Sequence, residues 1–448
     1  MARPRKNAAK VQGSLLAPDE VAEIPVEEQP YPLPEGWRWV RLGNVLSASK
    51  EKTEDFSSLS LRYIGLEHFE KDNGITGFAS AEGVRSLKNI FHPGQILYGK
   101  LRPYLNKHDI ANFDGVCSTD ILVFDCLSRA NSKFINYFFN LGYFQEYAIA
   151  NSNGINLPRV SEKVILDAVF PLPPFDEQQR IVDRIESLFA RLDEAKSKAE
   201  AVLDGFEIRK AAILHKAFTG ELTERWREEN KIQISSWKEE SITSLCHSLK
   251  YGTAKKSKEI GSTVVLRMGN LQDGEIDWSN LAYSDDQDDI QKYLLFPNDV
   301  LFNRTNSSEL VGKTAIYRGE CPAIYAGYLI KMNYKKNRLT GPYLNYVMNS
   351  HKAKEYCNNV KSDGVNQSNI NAKKLGAFVI SVPSLPEQQE IVRILDNLLA
   401  KERHIREAAE NVLSQIGLMK KAILARAFRG ELGTHGSARD TLQNNGSM

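Results

Sequence analysis

Two stretches of the chain place apolar residues at alternating steps of four and three among charged and polar positions. This is the heptad spacing of a long helix that buries one seam along its length. The apolar positions of the first stretch are Ile181, Ile185, Leu188, Leu192, Ala195, Ala199, Val202 and Phe206. Those of the second stretch are Ile391, Leu395, Leu398, Ile405, Ala409, Val412 and Ile416, with Glu402 as a single interruption.

The two helical stretches are copies of each other. Residues 172–222 align with residues 382–432 at a constant offset of 210 without a gap, and 21 of the 51 positions are identical. Both copies carry E-Q-Q-x-I-V near the start and A-F-x-G-E-L at the end. The chain is therefore an internal duplication with two halves. Gly220 and Gly430 are predicted to end the two helices.

A helix of this length has no core of its own, so it needs a partner along its seam. The predicted partner is the other copy, packed antiparallel. One interpretation is a coiled coil that only separates two lobes. The other is a ruler that fixes the distance between two binding heads, and the duplication favours it because a lobe of similar length precedes each helix.

The segments ahead of the helices are predicted to be globular lobes of short, mixed elements. The first lobe has strand patterns at residues 61–66, 95–98, 120–124 and 164–170, and an aromatic stripe predicts a helix at 132–150. Three segments match between the lobes: 64–65 with 268–269, 93–100 with 297–304, and 154–156 with 364–366.

These patterns predict an α/β (α+β) protein. Two similar mixed α/β domains are joined by two long antiparallel helices, with a pseudo-twofold internal repeat. The predicted parts are a flexible arm (1–30), a first lobe (31–170), a first helical spacer (171–222), a linker (223–236), a second lobe (237–380), a second helical spacer (381–432) and a tail (433–448).

Composition narrows the classes of function. The 448 residues are 42% hydrophobic and 25% charged, with no apolar run long enough for a transmembrane helix. The basic N-terminus is not followed by an apolar stretch, so it is not expected to be a secretory signal. Five scattered cysteines without a C-x-x-C pair indicate neither disulfides nor a zinc site, which fits a reducing cytoplasm. The net charge of only +2 is low for a nucleic-acid binder, although a local patch can suffice.

Sequences that resemble catalytic motifs fail on inspection. Gly312-Lys313-Thr314 resembles the end of a phosphate loop, but Ser307 stands where that loop needs a glycine. The L-P-P-F run at residues 172–175 lacks the Asn or Asp with which amino-methyltransferases hold the target amine. No histidine pair has metal-ligand spacing, so the sequence points away from an enzyme that acts alone.

The strongest functional signal is a basic, polar loop that follows a matched apolar strand in each lobe. Arginine and lysine contact guanine or phosphate, and asparagine bonds adenine, so these loops suit DNA. A solvated surface loop is the alternative, and the matched cations Lys100 and Arg304 count against it. The candidate residues in these loops are Lys100, Arg102, Tyr104, Asn106, Lys107, Arg304, Thr305, Asn306 and Lys313.

A second pair of loops surrounds Gly154 and Gly364. Amide-rich turns beside glycine suit contact with base edges, and they equally suit ordinary turns. The candidate residues in these loops are Asn153, Asn156, Arg159, Asn366 and Gln367.

The order of lobe, E-Q-Q-x-I-V helix with A-F-x-G-E-L, lobe and repeated helix resembles the specificity subunit of type I restriction-modification systems. The L-P-E-G-W segment at 33–37 and the Y-G-K-L-R-P-Y loop at 98–104 are also similar to that family. The resemblance covers residues 31–432 and implies two target recognition domains that each read one half of a split DNA site. Lys100 and Arg102 fall on the family's loop motif, whereas N-R-T-N-S at 303–307 departs from it.

The resemblance also implies partners. The helices would set the gap between half-sites and bind two modification subunits, which carry S-adenosylmethionine and methylate adenine. Two restriction subunits, which use ATP and magnesium, would join to cleave DNA. This chain would then bind double-stranded DNA in a bacterial or archaeal cytoplasm, without a catalytic residue, cofactor, metal or membrane of its own. The helix positions expected to hold the modification subunits are Gln178, Ile181, Ile185, Leu188, Phe218, Gln388, Ile391, Leu395, Leu398 and Phe428.

Two other hypotheses stay open at this point. A two-lobed protein-interaction scaffold would show no salt-dependent affinity for DNA. A fused enzyme with an unrecognised site would transfer methyl groups to DNA without a partner.

Overall fold

The computed structural model describes residues 24–55, 62–70, 74–82, 85–364 and 367–433. The chain forms two compact units, the first from Met1–Lys198 with Val412–Met448 and the second from Ala199–Asn411. The division falls inside both long helical stretches. Over the described ranges, no helix is both long and apolar enough to cross a membrane.

The helices follow the predicted division into lobes and long helical stretches. They are α1 Ser132–Phe138, α2 Gly142–Ala150, α3 Glu162–Asp167, α4 Phe175–Asp204, α5 Phe206–Phe218, α6 Glu224–Asn230, α7 Ile242–Leu245, α8 Gln287–Tyr293, α9 Gly341–Met348, α10 His351–Val360, α11 Ala372–Gly376 and α12 Leu385–Ala427. Gly220 and Gly430 adopt the left-handed φ values of 86° and 73° that a terminating glycine provides, as predicted.

The first lobe is built from short strands. They are β1 Arg38–Arg41, β2 Leu46–Ala48, β3 Lys52–Thr53, β4 Arg62–Ile64, β5 Phe69–Glu70, β6 Gly74–Ile75, β7 Ala79–Ser80, β8 Lys88–Phe91, β9 Ile96–Gly99, β10 His108–Ile110, β11 Gly115–Cys117, β12 Ile121–Cys126 and β13 Val169–Leu172. The sheets have the orders β10-β9-β12-β2, β3-β8-β11-β4-β7, β5-β6 and β1-β13.

The second lobe repeats the main features of the first. Its strands are β14 Lys238–Ser241, β15 Cys246–Tyr251, β16 Thr263–Leu266, β17 Leu271–Gln272, β18 Glu275–Ile276, β19 Tyr283–Ser284, β20 Val300–Asn303, β21 Thr305–Asn306, β22 Thr314–Ile316, β23 Ala323–Tyr325, β24 Leu329–Tyr334, β25 Ser362–Asp363, β26 Ser368–Asn369 and β27 Val379–Val382. The order β15-β24-β20-β22 corresponds to β2-β12-β9-β10, and β14-β27 closes this lobe as β1-β13 closes the other.

The core of the first unit is aromatic and includes the end of α12. Phe134, Phe138 and Phe170 are fully buried. Phe428, directly after α12, stacks on Phe134 with ring centroids 4.5 Å apart. Ile181 near the start of α4 lies in the same apolar cluster, so within this unit α4 and α12 run antiparallel.

The second unit packs the remaining parts of the helices in the same manner. Leu214 and Ala217 of α5 share a buried cluster with Ile391 and Leu395 at the start of α12. Because the end of one helix meets the start of the other, the helices are antiparallel here too. The apolar contacts of both lobes and helices supply the main driving force for folding.

The predicted seam is complete in the first copy, whose eight apolar positions are all buried or half-buried. In the second copy the prediction is wrong at Ile405 and Val412, which are 46% and 39% exposed. At the interruption itself, the Glu402 carboxylate accepts from Arg209 Nε at 2.8 Å. A polar pair therefore replaces an apolar layer at this level of the second unit.

Two predictions in the first lobe need correction. The predicted strand at 164–170 is helix α3 followed by β13, because the Ser161 hydroxyl accepts from the Val164 N–H and caps a helix. The predicted helix at 132–150 is divided into α1 and α2 by a turn at 139–141. The strand predicted at 95–98 corresponds to β9, and the one at 120–124 corresponds to β12. The strand predicted at 61–66 corresponds to β4, and its first residue, Leu61, lies outside the described residues.

The predicted linker at 223–236 contains helix α6. The guanidinium of Arg227 on this helix is buried and donates from Nη1 to Glu387 Oε1 at 2.8 Å. The segment therefore packs as part of the second unit. The predicted arm and tail lie mostly outside the described residues.

Candidate nucleic-acid interface

In the first lobe, β9 leads into a short closed loop. The Gly99 N–H donates to the Lys107 carbonyl at 2.7 Å and fixes both ends of the loop. Arg102 and Asn106 have left-handed φ values of 51° and 45°. Such a conformation costs about 1–2 kcal/mol for a residue with a side chain, and strain of this kind clusters at binding sites.

The candidate residues of this loop divide into exposed and tethered side chains. Arg102 is exposed and Tyr104 is 49% exposed, so both are available to a ligand, while Lys100 is half-buried. Asn106 Nδ2 donates to Asn140 Oδ1 at 3.0 Å, and Lys107 Nζ donates to the Leu66 carbonyl at 2.6 Å. The last two side chains hold the loop in shape.

The second candidate loop of this lobe lies directly against the first. The Arg102 N–H donates to the Pro158 carbonyl at 2.8 Å, and the Val160 N–H donates to the Lys100 carbonyl at 3.0 Å. Asn153 and Arg159 form an isolated antiparallel bridge. The exposed members of this loop are Asn153, Asn156 and Arg159, and Arg159 Nε is 3.7 Å from an Asp120 carboxylate oxygen. The structure therefore joins two separately predicted segments into one basic, amide-rich surface.

The second lobe joins its loops in the same way. β21 pairs antiparallel with β26, and the Ile370 N–H donates to the Arg304 carbonyl at 2.9 Å. Asn369 Nδ2 donates to Thr305 Oγ1 at 2.8 Å. The bond from Ile370 to Arg304 corresponds to the bond from Val160 to Lys100, so the predicted match of Lys100 with Arg304 is correct for the backbone.

The remaining candidates of the second lobe differ in exposure. Gln367 is exposed, Asn306 is half-buried, and Asn366 lies outside the described residues. Lys313 Nζ donates to Gln272 Oε1 at 2.7 Å. Lys313 thus ties the loop to a neighbouring turn, as Lys107 does in the first lobe.

Arg304 is more enclosed than a surface cation. Its guanidinium carbon lies 4.9 Å from the centre of the Tyr251 ring, and Nη1 donates to the Gly327 carbonyl at 3.4 Å. Its Nε is buried without a hydrogen-bond partner among the described residues. The Tyr251 hydroxyl is itself fixed by the Ala372 N–H at 2.9 Å. Arg304 is therefore held against the lobe by these contacts.

One open cleft lies beside this surface and was missed in the sequence. It has a volume of about 490 Å³ and is lined by Arg267, Asn270, Asn280 and Tyr328 among others. The Tyr328 carbonyl accepts from the Arg304 N–H at 3.1 Å, so the cleft borders the candidate loop. The sequence match of residues 64–65 with 268–269 obscured Arg267, because it aligns the strands two positions out of register.

A buried glutamine anchors the first long helix to its lobe. Gln178 Oε1 accepts from the Asn131 N–H at 2.8 Å, and its Nε2 donates to the carbonyls of Arg129 and Pro173, both at 3.0 Å. The side chain is fully buried. All of its described bonds lie within the first unit.

Gln388 makes the same three bonds in the second unit. Its Oε1 accepts from the Thr340 N–H at 2.9 Å, and its Nε2 donates to the carbonyls of Arg338 and Pro383 at 2.8 and 3.0 Å. The repeated E-Q-Q sequence is therefore the signature of a lobe–helix junction.

The preceding glutamates complete the two junctions. Glu177 accepts from the Trp37 indole N–H at 3.1 Å, and Glu387 accepts from the Trp237 indole N–H at 2.9 Å. Both glutamates are buried. Each lobe therefore begins with a tryptophan that bonds to the glutamate at the start of its own helix.

These contacts correct part of the set of residues predicted to hold the modification subunits. A fully buried side chain that already packs within this chain does not present a surface to another protein. The fully buried members of the predicted set are Gln178, Ile181, Ile185, Gln388, Ile391, Leu395 and Phe428. Leu188, Phe218 and Leu398 are half-buried and stay predictions.

Reactive side chains are scarce over the part of the chain that the structure describes. No group of three His, Cys, Asp or Glu residues there has the arrangement of a metal site. Burial raises the pKa of the Cys117 and Cys246 thiols to about 12, so both are protonated near neutral pH.

Comparison with known proteins identifies the architecture. Residues 34–202 and 234–414 each match the profile of the type I restriction modification DNA specificity domain, and together they make up most of the chain. The chain belongs to the family of type I restriction-modification specificity subunits. Each lobe, with the beginning of the long helix that follows it, is one such specificity domain.

The sequence is similar to curated specificity subunits over about half to about two thirds of their length. Over 221 residues it is 33% identical to the type I restriction enzyme EcoDI specificity subunit of Escherichia coli, and the match covers 49% of each chain. It is 27% identical over 325 residues to the EcoKI specificity subunit of Escherichia coli strain K12, covering 71% of this chain and 68% of that one. The chain thus spans about half the length of the EcoDI subunit that it matches.

Solved structures share the fold of this specificity subunit. The HsdS subunit from Thermoanaerobacter tengcongensis superposes with a TM-score of 0.65 at 21% identity, covering 90% of this chain and 100% of that one. A chain from work on complex assembly and conformational transition of the type I R-M system gives 0.72 at 22% identity, with the same coverage. At these identities the likeness concerns the fold alone.

Proposed function

We propose that this specificity subunit reads a bipartite site in double-stranded DNA, with one half-site for each lobe. The observation that carries the proposal is the repeated joining of loops, by Val160 to Lys100 in one lobe and by Ile370 to Arg304 in the other. One backbone frame is used twice with different side chains. Two lobes of this kind would bind two half-sites of different sequence.

The exposed side chains suit this role. Arg102 and Arg159 supply positive charge next to Asn153 and Asn156 in the first lobe. Cationic side chains position a protein on phosphates, and amides and arginines distinguish bases at their edges. In the second lobe, we assign Arg304 to the support of the loop, and Thr305, Asn306 and Gln367 to the surface near DNA.

Chemistry would belong to the partner subunits. Two modification subunits with S-adenosylmethionine would methylate adenine in the bound site. Two restriction subunits with ATP and magnesium would cleave DNA. This chain would contribute recognition without binding a cofactor of its own.

The long helices offer a matched pair of docking positions for the modification subunits. Ile208 is 74% exposed in the second unit, and Leu418, at the equivalent position of the repeat, is 65% exposed in the first. Exposed apolar side chains at corresponding places fit two copies of one partner better than the buried seam does. We therefore assign docking to these two positions.

The test is co-expression of this chain with a type I modification subunit that assembles with it, followed by mapping of methylated adenine across the genome. The expected result is one bipartite motif with an unread gap. A stable complex that methylates no motif would contradict DNA reading by the lobes. Methylation by this chain alone would contradict the division of labour, and binding that does not weaken with salt would favour the scaffold hypothesis.

A further inference from the structure

The ends of two matched strands establish the register between the lobes. The Ser118 N–H donates to the Ile64 carbonyl, and the Ala326 N–H donates to the Leu266 carbonyl, both at 3.0 Å. In each lobe the two strands that end here, β4 with β11 and β16 with β23, are parallel partners. Ile64 therefore corresponds to Leu266, and the next residues, Gly65 and Arg267, occupy the same place in the fold.

The same 3-10 turn follows in both lobes. The turn Leu66–His68 is capped by His68 Nδ1, which accepts from the Gly65 N–H at 2.9 Å. The turn Met268–Asn270 is capped by Asn270 Oδ1, which accepts from the Arg267 N–H at 2.9 Å. The backbone is thus held alike in both lobes. The residue directly before the turn differs, because it is Gly65 in the first lobe and Arg267 in the second.

Each turn is tied to the candidate loop of its lobe by a matched lysine. Lys107 Nζ reaches the Leu66 carbonyl directly at 2.6 Å. Lys313 Nζ reaches Gln272 Oε1 at 2.7 Å, and Gln272 Nε2 donates to the Gly269 carbonyl at 2.9 Å. The turn is therefore a third segment of the same surface in both lobes.

In the second lobe, the turn presents an oriented arginine. Arg267 Nη2 donates to Asn280 Oδ1 at 2.9 Å and to the Asn280 carbonyl at 3.2 Å. The side chain lines the 490 Å³ cleft beside Arg304. The one carboxylate in the cleft lining, Asp277, accepts from the Ser279 N–H at 2.9 Å. A guanidinium held by one edge is pre-organised to use its other donors on a ligand.

In the first lobe, a carboxylate takes this place. A Cβ atom added to Gly65 would collide with the carboxylate of Glu67, so that group lies over the position from which the Arg267 side chain leaves its backbone. The Glu67 side chain is 66% exposed, and its Oε1 is 3.9 Å from His68 Nδ1. The two lobes therefore present opposite charges at one position of the fold.

We propose that the charged side chain at this place in the fold determines specificity. Arg267 contacts guanine in the half-site of the second lobe, and Glu67 contacts the amino group of cytosine in the half-site of the first. Arginine donates to guanine O6 and N7, and glutamate accepts from cytosine N4. The inference rests on the proposed function and adds to it the two base-reading residues. Arg304, by contrast, is a positioning residue.

The experiment uses the full chain in complex with its modification subunit, selected on DNA with both half-sites randomised. Arg267→Ala is expected to reduce the preference for one G·C pair in the second half-site about 5- to 150-fold, which is ~1–3 kcal/mol, with the first half-site unchanged. Arg267→Lys is expected to keep the affinity for random DNA and to lose part of that preference, because an ammonium group lacks the planar fork of the guanidinium. Glu67→Gln is expected to change one preferred G·C pair of the first half-site to A·T, because an amide pairs with adenine.

Lys336→Ala is the matched control, since it removes an exposed positive charge beyond the opposite end of β24. An unchanged other half-site in each variant shows that the complex is folded. If Arg267→Ala, like Lys336→Ala, weakened DNA binding to the same extent on all sequences, the assignment of Arg267 would be overturned. An unchanged motif in Glu67→Gln would overturn that of Glu67. A wild-type complex that selects no bipartite motif would instead overturn the proposed function itself.

Discussion

The two lobes are alike where they join their helices, and they carry opposite charges at one matched turn. At the junctions, Gln178 and Gln388 make the same three hydrogen bonds, and both glutamates accept from a tryptophan indole. At the cap of the matched turn, one lobe has Glu67 over a glycine and the other has Arg267.

The difference teaches which positions a duplicated fold can change. Buried polar groups must all find partners, so a change at Gln178 or Gln388 leaves several groups unsatisfied at once. At the matched turn, Glu67 is 66% exposed and Arg267 is half-buried beside an open cleft, so water can solvate either charge there. Recognition can therefore diverge without disturbing the attachment of a lobe to its helix.

The largest expected effect comes from breaking the junction of the second unit. Glu387→Ala removes the partner of Arg227, whose guanidinium side chain is only 9% exposed. A buried charge without its partner is expected to lower the free energy of unfolding of this unit by about 3–5 kcal/mol. Urea unfolding followed by circular dichroism, with hydrogen exchange to assign the unit, measures the loss.

Glu410→Ala serves as the control, because its pair with Arg406 is half-exposed on the surface of α12. This variant is expected to unfold close to wild type. A Glu387 variant that is as stable as the control would show that the Arg227 pair does not hold the junction.

The next effect tests the symmetry of the glutamines. Gln178→Ala and Gln388→Ala are each expected to destabilise their own unit by about 1–3 kcal/mol, because buried N–H and C=O groups lose their partners. Gln389→Ala, at an exposed neighbouring position, is the control. Reduced affinity for the modification subunit with unchanged hydrogen exchange would restore the original prediction that these glutamines bind a partner.

A smaller effect is expected at the docking positions. Ile208→Glu and Leu418→Glu each place a charge where a partner would cover an apolar side chain, and each should weaken one of two binding events by ~10-fold or more. The mass of the complex then indicates one modification subunit per chain instead of two. Ile155→Glu, which charges a fully exposed loop position, controls for the added charge. Loss of both subunits from a single variant would argue against two equivalent sites.

The smallest expected effect is a pH dependence of stability that arises in the first lobe and not at the matched position of the second. His92 Nδ1 lies 2.7 Å from an Asp114 oxygen and Nε2 lies 3.1 Å from a Glu51 oxygen, and the hydrogen bonds to Asp114 and then Glu51 raise the pKa of His92. The matched residue of the second lobe is Phe296, which does not titrate; its N–H donates to Asp299, as that of His92 donates to Gln95.

Because the folded pKa is the higher one, the stabilisation is fully present below the unfolded value near ~6.5 and is lost as pH rises through the folded value. Thermal unfolding of wild type and His92→Gln should converge as the pH is raised from about 6 to 8, with a modest difference since the group is half-exposed. A constant difference across this range would contradict the assignment.

Periodicity predicted the long helices because a seam that repeats every seven residues is a property of the sequence itself. The loops around Lys100 and Asn153 were found separately, but their junction depends on a backbone bond between distant segments. The strand predicted at 164–170 failed because Ser161 caps a helix, and a single capping hydroxyl outweighs a short apolar run.

The candidate site likewise depends on contacts between distant segments that the sequence does not show. Lys107 was chosen for its charge, yet its ammonium group is engaged by the Leu66 carbonyl. Arg267 was passed over because matching by glycine shifted the register, and only the bonds from Ser118 and Ala326 correct it. The first glutamine of the repeated E-Q-Q was predicted to bind a partner subunit in both copies. The structure buries it and uses it to attach each lobe to its helix.

The first unit is assembled from two stretches of chain, and this imposes an order on biosynthesis. Phe428 completes the aromatic cluster of Phe134, but the ribosome makes Ala199–Asn411 in between. At ~5–20 residues per second this takes on the order of 10–40 s. The second unit can be closed during that time, while the first exposes apolar surface until α12 emerges. The lobe made first is therefore the last to be finished, and a nascent chain halted before residue 412 would leave a chaperone with one complete unit and one open aromatic core.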